Sequence, residues 1–89
     1  MDKNIHFVYI ARCCDNTLYT GYTTDVPRRI LEHNSSDKGA KYTKARRPVT
    51  LLFTKGFAIA SDAKKYEAQI KKMPRQKKLQ MIADAKNIS

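Results

Sequence analysis

The sequence predicts one small α/β (α+β) domain in which helices flank three strands, in the order β-β-α-β-α-α. Short segments rich in aromatic and β-branched residues alternate with longer segments whose apolar residues recur three and four apart, and turn residues separate them. The chain has 89 residues, of which 42% are hydrophobic, so we expect a single folded domain spanning 1–89 with one core.

The N-terminal part of the chain predicts an antiparallel hairpin. Residues 7–11 are rich in aromatic and β-branched side chains, which is typical of a strand. Asp15 and Asn16 supply turn chemistry, and residues 18–20 predict a second strand that ends at Gly21. The short link between these strands favours a hairpin.

A helix follows the hairpin. Thr24 or Asp25 can cap it, and residues 34–36 end it. The polar and basic segment 37–48 then predicts a loop, with one helical turn near residues 40–44.

The C-terminal half predicts a third strand and two further helices. The strand at residues 49–53 can continue into residues 57–59, with Gly56 marking a bulge or bend. Ser61 is the predicted cap of a helix that runs to about Met73.

The last helix is predicted to begin at Pro74. Its apolar stripe consists of Leu79, Ile82 and Ala83. We expect residues 86–89 to be frayed.

The charge balance predicts a polyanionic partner. Eighteen Lys and Arg against eight Asp and Glu give a net charge of +10. Nucleic acid is the first candidate, an anionic membrane surface the second, and charge that only keeps the protein soluble is the alternative. Membrane binding is disfavoured because the basic helices lack bulky residues such as Trp or Phe on an opposite face. Arg12 breaks the only N-terminal apolar run, so we expect neither a signal peptide nor a membrane span.

The two cysteines, Cys13 and Cys14, are adjacent in the sequence. Neighbouring side chains of an extended chain point to opposite faces, so we expect one to be buried and the other exposed. Two cysteines are too few for a disulfide framework or a zinc site, and this usage fits a reducing cytoplasm.

Arg29 and His33 form the first candidate pair for chemistry. They are four residues apart on the predicted first helix, so both side chains leave the same face. A guanidinium offers a planar fork of donors to a phosphate, and a neutral imidazole can accept a proton near pH 7. An ordinary solvated helix face is the alternative interpretation.

Glu67 lies along the apolar stripe of its predicted helix, four residues after Ala63 and three before Ile70. A carboxylate on a core-facing stripe requires a partner. A divalent cation such as Mg²⁺ is one such partner, because carboxylate oxygens suit it. An ion pair with Lys71, four residues further on, is the alternative.

Tyr9 and Tyr19 lie in the two strands of the predicted hairpin. Tyrosines in strands usually serve packing, but a hydrogen-bonded phenol can also act as a base or orient a nucleophile. Gly21 lies two residues beyond Tyr19, and a glycine there would let a large ligand approach the backbone.

Two basic clusters suit contacts with phosphates, which position a nucleic acid without specifying its sequence. The first lies in the central loop, where an aromatic ring could stack on a base, and the second lies on the last two helices. A solvated charged face is the alternative for each. The residues that we assign to nucleic-acid binding, besides Gly21, are Lys41, Tyr42, Lys44, Arg46, Arg47, Lys71 and Lys72.

Taken together, these residues resemble a known family. The tripeptides 8–10 (VYI) and 19–21 (YTG), followed by Arg29, His33 and a distal Glu67, resemble the signature of the GIY-YIG nucleases. The segments 39–43 (GAKYT) and 67–72 (EAQIKK) are similar to its small stand-alone bacterial members, the UPF0213 group.

The resemblance implies a three-stranded antiparallel sheet flanked by helices, and cleavage of DNA phosphodiesters with one divalent metal, Mg²⁺ or Mn²⁺. By resemblance, Tyr9 or Tyr19 is the general base, and which of them remains open. Arg29 would stabilise charge on the phosphate, His33 would orient the tyrosine and the water, and Glu67 would be the metal ligand. A role in DNA repair or processing follows, RNA is the alternative substrate, and no small-molecule cofactor is expected.

The sequence departs from the signature at two places, because Val8 stands where the family has Gly and Thr20 where it has Ile. Several family nucleases also carry a Lys just after the second signature, where this chain has Tyr22 and Thr23. The alternative function is therefore a nucleic-acid-binding module with the same fold and little or no catalysis.

Overall fold

A central strand pairs with a neighbour on each side in the computed structural model, which describes residues 4–35 and 37–86. The sheet order is β2-β1-β3, and both pairings are antiparallel. The predicted fold class and element order are confirmed, with a four-residue helix at the predicted helical turn. The elements are β1 His6–Arg12, β2 Leu18–Thr23, α1 Val26–Ser35, α2 Lys41–Lys44, β3 Thr50–Phe57, α3 Ala60–Lys71 and α4 Arg75–Lys86.

The alternation of side chains along β1 gives the sheet two different faces. Val8 and Ile10 point to the first face, where they pack with Ala63 and Ile70 of α3 and Ile82 of α4. This face holds the main hydrophobic core.

The second face of the sheet carries Tyr9, Ala11 and Cys13, which form a smaller cluster with Val49. Ile30 of α1 packs against this cluster. Cys13 is buried and Cys14 is exposed, and both thiols are free, as the sequence predicted. The phenol of Tyr9 is therefore held between the sheet and α1.

Both strands of the hairpin are longer than predicted, β1 by one residue at each end. β2 does not end at Gly21 but continues to Thr23, which still pairs with Phe7 in the ladder. The predicted bulge at Gly56 is also wrong. Gly56 pairs regularly with Phe7. The register shift lies opposite Ile10 and Ala11, which pair with Phe53 and Leu51, so the extra residue is in β3.

The helix boundaries contain one correct cap and one wrong one. Asp25 caps α1, since its Oδ1 accepts a hydrogen bond from the Arg28 amide at 3.2 Å. Ser61 does not cap α3, which begins at Ala60 with Ile59 at the N-cap and no side-chain cap.

The apolar stripe predicted for the last helix is only partly correct. Ile82 is buried, whereas Leu79 is 41% exposed and Ala83 is exposed. The predicted frayed end falls at Lys86, the last residue of α4, and at residues 87–89, which lie outside the described residues. Within the described ranges, none of the helices has the length and apolarity that crossing a membrane requires.

Candidate active site

A hydrogen bond between Tyr9 of β1 and His33 of α1 forms the centre of the candidate site. Tyr9 Oη and His33 Nε2 are 2.6 Å apart, and the two residues are 1% and 0% exposed. The predicted alternative of a solvated helix face is therefore wrong for His33. The separation is that of a strong hydrogen bond shielded from water.

Burial keeps both partners neutral at pH 7. Burial, assisted by the positive charge of Arg29, lowers the pKa of His33 to about 4. Burial also raises the pKa of Tyr9 to about 12, and the nearby Tyr19 phenol adds to the rise. The phenol thus keeps its proton at rest, and the imidazole is uncharged.

Gly21 makes the position of the Tyr9 ring possible. A Cβ atom at Gly21 would lie 2.5 Å from Tyr9 Cζ, a separation that two carbon atoms do not tolerate. The room at this buried glycine therefore serves the Tyr9 phenol, and not the approaching ligand that the sequence predicted there.

The ring of Tyr19 packs against the aromatic rings of the site. Its ring meets His33 edge-on, with centroids 5.2 Å apart, and stacks on the ring of Tyr42 at 6.1 Å. The Arg46 guanidinium covers the Tyr42 ring at 3.9 Å and is itself paired with Asp15 at 3.0 Å. A nucleic-acid base could stack on that side of Tyr42 only by displacing Arg46.

Arg29 is held beside the Tyr9 phenol by two contacts. Its Nη1 donates to the Lys38 carbonyl at 2.7 Å and pairs with Glu32 Oε1 at 3.1 Å. The hydrogen bond from Arg29 lowers the pKa of Glu32, so that carboxylate stays charged. The side chain of Arg29 is 25% exposed, which leaves part of its donor fork facing solvent.

Glu67 lies on α3 between buried Ala63 and Ile70, as its spacing predicted. Its carboxylate pairs with Lys71 Nζ at 3.2 Å, so the predicted ion pair is present. The Glu67 side chain is 20% exposed, and its negative charge contributes to the raised pKa of Tyr9. The carboxylate therefore lies within electrostatic reach of the phenol.

The carboxylate of Glu67 suits an Mg²⁺ ion that has few protein ligands more than a metal ion that several side chains surround. Across residues 4–35 and 37–86, no three His, Cys, Asp or Glu side chains are grouped so that they could hold a metal ion. Mg²⁺ commonly takes one or two carboxylates and completes its coordination with water and substrate phosphates. A single, partly exposed carboxylate such as Glu67 fits that pattern.

The predicted nucleic-acid residues divide into two groups. Lys41, Lys44 and Lys72 are exposed. Arg46 and Arg47 are half-buried, and their side chains form contacts with other parts of the protein. Arg47 donates through Nε to the carbonyl of His33 at 2.5 Å and so caps the end of α1.

Lys71 borders a surface cleft of about 270 Å³ beside Tyr19 and Tyr42. Lys78 of α4 faces the same cleft, together with Leu18 and Thr20. Lys78 stood in a basic cluster of the sequence without being singled out, and only the packing of α4 brings it here.

Two further residues of the site carried weak sequence signals or none. Glu32 is one of many charged residues on a helix, and nothing in the sequence separates it from the others. Thr43 ends the segment 39–43, and its hydroxyl lies 2.8 Å from His33 Nδ1. The structure thus brings Tyr9, Tyr19, Arg29 and His33 together, sets Glu67 nearby, and adds Thr43 behind the imidazole.

The chain is similar over most of its length to a described family and to curated proteins. The model of the GIY-YIG catalytic domain matches residues 5–80. A UPF0213 protein of Staphylococcus haemolyticus is 54% identical over 79 residues, covering 89% of this chain and 95% of that protein. The UPF0213 protein YazA of Bacillus subtilis is 45% identical over 87 residues, covering 98% and 87% respectively.

Two solution NMR structures are also similar to this chain. A protein from E. faecalis is 41% identical with a TM-score of 0.66, covering 99% of this chain and 93% of that one. A UPF0213 protein from Bacillus halodurans is 47% identical with a TM-score of 0.58, covering 89% and 83%.

Proposed function

The chain belongs to the GIY-YIG family as a UPF0213 protein, and on that premise we propose that it hydrolyses DNA phosphodiesters with one divalent metal, Mg²⁺ or Mn²⁺. The observation that carries the proposal is the buried hydrogen bond between Tyr9 and His33, which Arg29 and Glu67 flank. A role in DNA repair or processing is part of the same proposal.

Tyr9 is the base in this proposal, because its oxygen is the one bonded to His33. As the water oxygen attacks phosphorus, the water proton passes to Tyr9 Oη and the Tyr9 proton passes to His33 Nε2. The new P–O bond forms while the bond to the leaving oxygen breaks, and solvent protonates the leaving group. With a pKa of about 12, the phenol does not ionise on its own, so a coupled transfer is required.

Arg29 supports the same step by binding the phosphate. Its contacts with Glu32 and the Lys38 carbonyl fix the guanidinium before substrate arrives, so little ordering is required later. The free part of the donor fork then meets the negative charge that grows on the phosphate oxygens.

Glu67 would hold the divalent cation, which when bound stabilises negative charge on the phosphate. The Lys71 ammonium now occupies one side of the Glu67 carboxylate at 3.2 Å. Lys71 is 54% exposed, so it can turn outward and contact DNA when a cation binds.

The DNA would approach the cleft that Lys71 and Lys78 border. Contacts between lysines and phosphates give affinity that falls as salt rises. The two free cysteines fit our proposal that the protein works in a reducing cytoplasm. The proposed contact residues are Lys41, Lys44, Lys71, Lys72 and Lys78.

A cleavage assay tests the proposed function directly. Wild type, Glu67→Ala and Asp62→Ala, which removes an exposed carboxylate from the same helix, are incubated with branched, nicked, single-stranded and duplex DNA, and with matched RNA, in Mg²⁺ or Mn²⁺. We expect wild type and Asp62→Ala to cut at least one DNA substrate and Glu67→Ala to be inactive. Equal inactivity of wild type and Glu67→Ala on every substrate would overturn the proposal.

The observed ion pair between Glu67 and Lys71 favours one alternative, a nucleic-acid-binding module without catalysis. In that case Lys71 satisfies the carboxylate permanently. Such a module binds DNA with a steep salt dependence. It shows no NMR shift changes near Glu67 when Mg²⁺ is added, whereas the nuclease does.

A further inference from the structure

Thr43 is a buried polar residue that contacts His33 and takes no part in the proposed proton transfer. It is 0% exposed, and its Oγ1 lies 2.8 Å from His33 Nδ1, on the opposite side of the imidazole from Tyr9. The same oxygen lies 2.9 Å from the carbonyl oxygen of Ala40. Tyr9, His33, Thr43 and Ala40 therefore form one continuous hydrogen-bonded chain.

The direction of this chain follows from which atoms can donate. The Ala40 carbonyl can only accept, so the single hydroxyl proton of Thr43 is directed to it. Thr43 Oγ1 can then only accept from His33, which places a proton on Nδ1. A neutral imidazole has one N–H, so Nε2 carries a lone pair and accepts the Tyr9 hydroxyl proton.

The amide of Ala40 offers a competing contact at Nδ1. Its nitrogen lies 3.5 Å from Nδ1, compared with 2.8 Å for Thr43 Oγ1. A separation of 3.5 Å is at the outer limit of a hydrogen bond, so the hydroxyl determines the proton position.

We propose that Thr43 is a positioning residue that keeps the His33 proton on Nδ1, so that Nε2 is free to take the Tyr9 proton. This inference rests on the proposed function. The arrangement has the same logic as a carboxylate that sets the tautomer of a catalytic histidine, with a neutral hydroxyl in its place.

The local backbone explains how Thr43 reaches His33. A Cβ atom at Gly39 would lie 2.9 Å from the Glu32 carbonyl oxygen and 3.0 Å from His33 Cα. Only a glycine lets the segment before α2 lie this close to α1. Arg47 also links this segment to α1, because its Nε donates a hydrogen bond to the His33 carbonyl.

Two variants of similar volume separate positioning from packing. Thr43→Val keeps the shape and removes the hydroxyl, whereas Thr43→Ser keeps the hydroxyl and removes a methyl group. The first readout is the ¹⁵N NMR spectrum of the His33 ring nitrogens, which distinguishes a protonated nitrogen from one with a free lone pair. It requires no activity.

We expect wild type and Thr43→Ser to show a protonated Nδ1 and an unprotonated Nε2. In Thr43→Val the Nδ1 proton has lost its acceptor, so we expect the proton to shift toward Nε2. In the cleavage assay, we expect the Thr43→Val variant to lose about 10- to 100-fold in kcat with KM nearly unchanged, and Thr43→Ser to recover most of it.

The proposal is overturned if wild type carries the His33 proton on Nε2, or if a folded Thr43→Val variant leaves the tautomer unchanged. If Thr43→Val does not fold, the wild-type and Thr43→Ser spectra still decide which nitrogen is protonated. A failure of the proposed function looks different, because wild type then cuts no substrate while its His33 spectrum remains readable.

Discussion

Two tyrosine–histidine pairs lie on opposite faces of the same sheet. On the second face, Tyr9 Oη is 2.6 Å from His33 Nε2. On the first face, Tyr22 Oη is 2.7 Å from His6 Nδ1, and those rings stack with centroids 6.0 Å apart. The hydrogen bonds are nearly equal in length, so the bond itself does not distinguish a catalytic pair.

The surroundings of the two pairs differ. The Tyr9 phenol experiences the charges of Arg29 and Glu67, and Thr43 supports the far side of its histidine. Lys64 Nζ lies 5.4 Å from the centre of the Tyr22 ring, and that phenol packs at the edge of the main core. A phenol–imidazole pair becomes suited to phosphate chemistry when opposite charges and a supporting hydrogen bond are placed around it.

Removing each phenol oxygen gives the largest expected contrast between the two pairs. We expect Tyr9→Phe to lower kcat for DNA cleavage by about 10²- to 10⁴-fold, because the base is lost. We expect Tyr22→Phe to change kcat by less than about threefold, because its phenol lies on the opposite face. Steady-state cleavage rates measure both, and circular dichroism checks the fold. Comparable losses in the two variants would contradict the assignment of Tyr9.

Gly21 pairs with Tyr9 and Gly56 pairs with Phe7, so alanine at each glycine compares how much a new Cβ atom beside each ring changes stability. We expect Gly21→Ala to lower the free energy of unfolding by about 2–3 kcal/mol, since its Cβ would collide with the buried Tyr9 ring.

Gly56→Ala is the matched control. A Cβ at Gly56 would lie 2.9 Å from Ile5 Cγ2, but Ile5 is 46% exposed and can move, so we expect a change below about 1 kcal/mol. Urea denaturation measures both variants. The account of Gly21 is wrong if the two glycines tolerate alanine equally.

Acidification tests the burial of His33. Burial, and then Arg29, lowers its pKa from 6.5 to about 4, so between these values the unfolded chain binds more protons than the folded one. The stability that the neutral, buried imidazole contributes is complete above pH 6.5 and is lost as pH falls toward 4. We expect the free energy of unfolding to drop by about 2 kcal/mol from pH 7 to pH 5.

Urea denaturation across that range measures the drop, and His33→Asn is the comparison variant. Its absolute stability will be lower, but the part of the pH dependence that belongs to His33 should disappear. An identical slope in wild type and in His33→Asn would show that the buried imidazole is not the titrating group.

The ion pair beside the site gives the smallest expected effect. Lys71 is 54% exposed, so we expect Lys71→Gln to change the free energy of unfolding by less than about 0.5 kcal/mol. Freeing the Glu67 carboxylate should tighten Mn²⁺ binding by about two- to fivefold. Calorimetric titration measures the affinity, with Lys72→Gln as control. Equal affinities in the two variants would argue against Glu67 as the ligand.

Much of the candidate site could be predicted because it depends on short-range spacing. A separation of four residues on one helix predicted that Arg29 and His33 leave the same face, and in the structure both lie beside the Tyr9 phenol. The position of Glu67 between Ala63 and Ile70 indicated a carboxylate that needs a partner, and Lys71 was correctly named as one. These inferences require only the period of a helix.

Other features could not be predicted because they depend on which distant segments meet. Gly21 was assigned to a ligand, whereas it makes room for a ring from the neighbouring strand. Arg46 and Arg47 read as two more cations of a basic loop, but one pairs with Asp15 and the other caps α1. Thr43 belongs to the segment 39–43 that carries the resemblance, but nothing in the sequence shows that its hydroxyl lies beside the His33 ring.

The sequence by itself determined the order of the elements and the basic charge, because periodicity and composition are local properties of a chain. It named the candidate site residues mainly through their resemblance to a family signature. Only the tertiary structure decided which of two similar tyrosine–histidine pairs is surrounded by charge. That choice depends on how α1, α2 and α3 pack around the sheet, since burial, charge and hydrogen bonding act through space.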